Sequence, residues 1–183
     1  GNTTGGSNTA VGRDALQSNS TASQNTAVGY GAARDTTTGQ NNVAVGYLSL
    51  EENISGSENI AIGFQALENP DTEDNNLAIG YEALGGAIAG GEYNVSIGNY
   101  TLDALTSADG NTVIGYEAGS AIATGGRHTA VGYQALKSMS GGTVGNVAIG
   151  WKALTAATGE YNTAVGDQAG LIVSSGVIFF FVF

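Results

Sequence analysis

The sequence contains no cysteine, one proline, one histidine and only five basic residues among its 183. Without cysteine there are no disulfides and no thiolate chemistry, so stability has to come from backbone ladders and from association. A single histidine, His128, leaves no Ser/His/Asp set, because a general base needs an oriented partner. Sixteen acidic residues against five basic ones give a net charge of −11. That charge repels phosphate backbones and anionic membranes, so nucleic acid is excluded as a partner. Within these residues no apolar run approaches the roughly 20 needed for a membrane helix, and no membrane insertion is expected from them.

What is abundant is glycine, with 30 residues, and it is periodic. Gly12, Gly29, Gly46, Gly63, Gly80, Gly98, Gly115, Gly132, Gly150 and Gly166 follow one another at spacings of 17, 17, 17, 17, 18, 17, 17, 18 and 16 residues. A period of this kind marks a solenoid whose core grows turn by turn. It is too short for a two-helix repeat, which needs about 33 residues or more. The expectation is an all-β, parallel β-solenoid of about ten 17-residue turns over residues 1–170, with two short strands and two bends per turn. At the strand spacing of about 4.8 Å, ten turns make a rod on the order of 50 Å long.

Four positions before each glycine stand Asn8, Asn25, Asn42, Asn59, Asn76, Asn94, Asn111, His128, Asn146 and Asn162. A side-chain amide repeated in every turn can bond its copies above and below or cap the turn backbone. His128 reads as a structural substitute in that column. Immediately before the glycine stand Val11, Val28, Val45, Ile62, Ile79, Ile97, Ile114, Val131, Ile149 and Val165, read here as the inward ladder because the position never accepts a polar group. The residue preceding them is nearly always Ala. Such small residues call for a second backbone close by, either the opposite wall of the solenoid or a neighbouring chain.

After the glycine come Tyr30, Tyr47, Phe64, Tyr81, Tyr116, Tyr133 and Trp151, with Arg13, Asn99 and Asp167 in the other turns. These rings either stack on one another or lie buried between chains; exposed, they would suit a sugar surface. Three residues further on, Leu16, Leu50, Leu67, Leu84, Leu102, Leu136 and Leu154 form a second apolar ladder, interrupted by Ala33, Gly119 and Gly170. The rest of each turn is polar and variable, as expected of an outer turn where changes cost little. Its acidic cluster Glu68, Asp71, Glu73 and Asp74 lacks the ordered spacing of a calcium loop and reads as solvated. Neither a metal nor a cofactor is expected.

The repeat ends at Gly170. Residues 171–183 form a second region that closes on Val177, Ile178, Phe179, Phe180, Phe181, Val182 and Phe183. Seven apolar residues in a row make an aggregation-prone strand unless a partner chain, the next subunit of a fibre or further sequence covers them.

The signature in Asn42-Val43-Ala44-Val45-Gly46, Asn59-Ile60-Ala61-Ile62-Gly63 and Asn146-Val147-Ala148-Ile149-Gly150 resembles the head repeat of YadA-like trimeric autotransporter adhesins. Its extended form, Thr129-Ala130-Val131-Gly132-Tyr133-Gln134-Ala135-Leu136, is similar to repeats of bacteriophage tail-fibre proteins. The resemblance covers residues 8–170 and implies a left-handed β-roll, three chains about one axis, and a fibre that carries a receptor-binding surface. The longer period and the aromatic after the glycine depart from the adhesin pattern and favour the phage-like fibre. The function expected is therefore non-enzymatic: an extracellular or virion fibre segment, spacer and receptor platform, self-associating as a homotrimer and meeting a host surface glycan or protein. The alternatives are a filament subunit polymerising head to tail through residues 177–183, and an ice- or polysaccharide-binding solenoid. Ice binding ranks below because the column before Ala holds Val43, Ile60, Leu77, Val95 and Val147 among its threonines.

Overall fold

A computed structural model describes residues 3–139 and 141–172 and the backbone of residues 179–181. Each repeat contributes one strand of three residues: β1 (Thr9–Val11), β2 (Thr26–Val28), β3 (Val43–Val45), β4 (Ile60–Ile62), β5 (Leu77–Ile79), β6 (Val95–Ile97), β7 (Thr112–Ile114), β8 (Thr129–Val131), β9 (Val147–Ile149) and β10 (Thr163–Val165). They stack in chain order into one parallel sheet, like residue over like, as in Ala27↔Ala44↔Ala61. The chain is a parallel β-solenoid. An eleventh strand, β11 (Phe179–Phe181), pairs with β10 in the same sense, with Thr163 opposite Phe179. Its neighbours Val177, Ile178, Val182 and Phe183 lie outside the described residues.

The expectation of two strands per turn is corrected to one. After each strand the backbone instead alternates between right- and left-handed conformations, a pattern that Gln65 (φ 50°) and Leu67 (φ 47°) illustrate in the fourth turn. A left-handed residue with a Cβ costs about 1–2 kcal/mol, yet leucine accepts it here in turn after turn. The return is burial: Leu50, Leu67, Leu84, Leu102, Leu136 and Leu154 are fully enclosed, as the sequence reading of a second apolar ladder required.

A second correction concerns the strand itself. Its outer residues are half-buried or exposed, with Val11 at 57%, Ile62 at 38% and Ile149 at 39%, whereas the central Ala is fully buried in β2–β5 and β8–β10. Alternation along a strand sends only one parity inward, and the narrow core accepts the small one. The Val/Ile column therefore faces out. The close approach inferred for Ala comes from the opposite wall of the same chain, since Ala61, Ala66 and Leu67 belong to one buried cluster.

Two turns show how tight that approach is. In the sixth, both alanines are replaced by hydroxyls, and the Ser96 Oγ lies 2.6 Å from the Thr101 Oγ1, which in turn donates to the Gly98 carbonyl at 2.7 Å. In the seventh, Val113 takes the place of Ala while Gly119 takes that of Leu. A Cβ on Gly119 would stand 3.4 Å from Val113 Cγ1 and 3.1 Å from Leu102 Cδ2, so the larger residue occupies the volume the missing leucine leaves.

The outer turn is not all solvent, which corrects a third expectation. A further buried column follows the glycine by seven or eight residues. It is polar in the first three turns, at Asn19, Thr36 and Asn53, and apolar from the fifth to the eighth, at Ile88, Leu105, Ile122 and Met139. The core is thus widest in the fifth to eighth turns and narrows again at the fully buried Ala157 of the ninth. Among the described residues no helix is long and apolar enough to cross a membrane.

Candidate functional site

Two ladders hold the turns at the spacing that the outer surface requires. The first is the asparagine column. Except in Asn162, the Oδ1 accepts the backbone N–H of the next column member, Asn8 from Asn25 at 2.9 Å, Asn25 from Asn42 at 2.8 Å and Asn146 from Asn162 at 2.8 Å. Most Nδ2 groups donate to a carbonyl of the outer turn, as Asn42 does to Gly56 and Asn59 to Glu73. Asn25, Asn42, Asn59, Asn76, Asn94, Asn111, Asn146 and Asn162 are buried, so these bonds satisfy backbone groups that water cannot reach. The left-handed conformation that the corner requires lies in the residue before the column, such as Gln24, Glu58 and Tyr93.

His128 keeps the column continuous, as its place in the repeat required. It is 1% exposed. Its Nδ1 accepts the N–H of Asn146 at 3.2 Å and its Nε2 lies 3.0 Å from the Thr143 carbonyl, which fixes the neutral tautomer with the proton on Nε2. Burial pushes its pKa below the ordinary 6.5, partly opposed by the Thr143 bond.

The second ladder is the glycine column. Gly63 has φ +138°, and a Cβ there would fall on the carbonyl of Gly80 in the next turn. Backbone meets backbone, with no room for a side chain.

These two ladders fix what the surface presents. On the sheet face, Val11, Ile62, Ile114 and Ile149 of the Val/Ile column stand beside Ile60 and the other members of the Thr/aliphatic column, such as Thr26, Val43 and Leu77. No residue of β1–β10 is charged. Next to this face runs the aromatic column. Tyr30, Tyr47, Phe64 and Tyr81 are 38–46% exposed and lie parallel, at centroid distances of 5.3, 5.0 and 4.9 Å. Tyr116, Tyr133 and Trp151 form a second stacked run, at 5.6 and 6.1 Å. The guanidinium of Arg13 and the ammonium of Lys152 lie over the end rings, Tyr30 and Trp151. Stacking and partial exposure coexist here, where the sequence reading had set them against each other.

Between the two runs the column changes. Asn99 stands in the aromatic position and its Oδ1 accepts the N–H of Tyr81 at 2.9 Å. Tyr100, one residue later, fills the gap at 59° to Tyr81 and 84° to Tyr116. Sequence reasoning missed Tyr100 because it is one place out of register. The displacement of a ring to the residue after Asn99 was the signal available.

The acidic cluster of the fourth turn does not converge. Asp74 accepts the N–H of Ser57 at 2.6 Å, Glu68 accepts from Gln65, and the two carboxylate oxygens of Glu73 accept the N–H groups of Gly90 and Thr72. Glu73 is 4% exposed, which corrects its reading as solvated. Among the described residues no group of three His, Cys, Asp or Glu side chains is placed to hold a metal ion. No family model, curated protein or solved structure matches the chain.

Proposed function

We propose that this chain is a non-enzymatic segment of a structural fibre, in which copies associate along the outer face of the sheet and leave the turns and the aromatic column as a platform for a host-surface partner. The observation that carries this is the uncharged apolar sheet face. In a chain of net charge −11, it is a long surface without charged residues along which two copies can approach, and where exposed Val and Ile gain by leaving water. Each turn adds the same pair of outward residues, so the contact area grows with the number of turns and no single residue need dominate.

An apolar face turned toward a common axis suits a closed ring of copies. Three chains about the rod axis, each wound to the left, is the arrangement that the resemblance to adhesin heads and phage fibres adds, and an extracellular or virion location follows from it. Phe179–Phe181 is hydrogen-bonded along β10 of its own chain, so head-to-tail polymerisation through the apolar tail would have to use the other edge of that strand.

The test is the native mass of the assembly together with its response to charge on this face. The unsubstituted chain is expected to be a trimer, and Ile62→Lys with Ile114→Lys is expected to give monomers. A monomeric parent chain, or a trimer indifferent to both lysines, overturns the reading.

A further inference from the structure

The break in the aromatic column opens a cavity, and we infer that the cavity of about 320 Å³ lined by Tyr100, Asp103, Tyr116, Glu117, Ser120 and Lys137 is a binding site for a neutral pyranose unit of a glycan. This deepens the platform part of the fibre reading above and rests on it.

The shape comes from the register shift. Where the column is regular, parallel rings about 5 Å apart close on one another and present only their edges. Asn99 replaces a ring with a short amide that is held against the Tyr81 N–H. Tyr100 then meets Tyr116 edge to face, with centroids 6.0 Å apart. A ring turned out of the stack leaves a concave corner, and its volume lies at the small end of the range of about 300–1,000 Å³ typical of ligand pockets.

The chemistry of the lining selects the ligand. Asp103 Oδ1 is buried and has no hydrogen-bond partner, so it is an acceptor waiting for a donor. Glu117 is held in place by the Gln134 amide at 2.7 Å and by the Lys137 ammonium. Burial, with the nearby charges of Glu82 and Glu117, pushes the Asp103 carboxyl above its ordinary range against the opposing pull of its own backbone N–H and of Lys137, while Lys137 and Gln134 hold Glu117 below it. Two acceptors of different character therefore stand beside two donors, Ser120 and Lys137, against aromatic walls.

A sugar hydroxyl both donates and accepts, and the C–H face of a pyranose packs on a ring. An anionic ligand meets Asp103 and Glu117, and a cationic one finds Glu117 already paired with the Lys137 ammonium. An apolar ligand leaves Asp103 Oδ1 without a partner. Tyr81 on one side and Tyr133 on the other continue the aromatic surface, so a glycan chain can run along the rod from this corner.

The experiment is saturation-transfer NMR with calorimetry on the full chain, using cellotetraose, maltotetraose, chitotetraose and mannotetraose as probes. At least one is expected to bind. Asp103→Ala, the size-preserving Asp103→Asn, and Tyr100→Ala are each expected to weaken it at least about tenfold, with circular dichroism and native mass unchanged. Tyr47→Ala, in the regular run and outside the cavity, is expected to weaken it less than Tyr100→Ala does. Absence of binding by every probe overturns the inference, as does equal loss in Tyr47→Ala and Asp103→Asn, which would place binding on the column at large. Either result leaves the native mass unaffected, whereas failure of the fibre reading appears in the mass alone.

Discussion

Asn42 and Asn59 lie one turn apart, and the Oδ1 of Asn42 accepts the backbone N–H of Asn59 at 2.9 Å. Asn59 repeats the gesture toward Asn76 at 2.9 Å and donates its Nδ2 to the Glu73 carbonyl at 2.7 Å. One side chain thus serves a backbone donor above it and a backbone acceptor in its own outer turn. Asn59→Ala strands both in a dry core, which costs about 1–3 kcal/mol for each group left unpaired. Chemical denaturation is expected to show a loss of about 2–4 kcal/mol. Asn59→Asp is expected to be at least as harmful at neutral pH, since it keeps the acceptor but loses the donor and buries a charge.

Gly63→Ala tests the backbone contact between turns. At φ +138° the new Cβ is strained by its own backbone and falls on the Gly80 carbonyl, and neither wall can yield without separating the two turns. The variant is expected to lose more than about 3 kcal/mol or to be recovered only as aggregate. Gly6→Ala has nothing within 4 Å of the added methyl and is the matched control. Its melting temperature should stay within a degree or two of the parent.

The asparagine and glycine columns were legible in the sequence because each answers a demand that few residue types meet, His128 being the one substitute in the first. The direction of the strand was not. In Asn59-Ile60-Ala61-Ile62-Gly63 both parities are apolar, so hydrophobicity cannot say which side is buried, and a position that never accepts a polar group reads as inward even where it faces out. What decides is the width of the core, and the sequence records that width elsewhere: Ser96 is coupled to Thr101, and Val113 is offset by Gly119. The buried column at Ile88, Leu105, Ile122 and Met139 was hidden for a simpler reason. The fifth turn is one residue longer, so Ile88 follows its glycine by eight places and the others by seven. The cavity at Tyr100 was hidden by the same kind of one-residue shift.

His128 makes the chain sensitive to mild acid. In the unfolded chain its imidazole takes up a proton near pH 6.5, while burial lowers that value in the fold. The unfolded state therefore binds more protons as the pH drops from about 6.5 toward the depressed native value, and stability falls through that window. Protonation also places a hydrogen on Nδ1, where the Asn146 N–H already points. His128→Asn restores the residue of the other turns and is expected to flatten the pH dependence below about 6.5, measured as the midpoint of thermal unfolding. The carboxylates titrate alike in both chains, so the difference between the two curves isolates the imidazole.

Thr36 tests whether the polar half of the second inner column is a cost that the fold tolerates. It is fully buried, and its Oγ1 has no hydrogen-bond partner, as is also true of the Oδ1 atoms of Asn19 and Asn53 in the turns on either side. Burying a hydroxyl without a partner costs about 1–3 kcal/mol by protein measurements. Valine has nearly the same shape, and from the fifth turn onward this column is filled by Ile88, Leu105, Ile122 and Met139 without polar atoms. Thr36→Val is therefore expected to stabilise the chain by about 1 kcal/mol, read from the denaturation midpoint at unchanged slope. A loss of similar size would mean that Thr36 Oγ1 is bonded in solution, and the three polar side chains would then be holding the N-terminal turns together instead of weakening them.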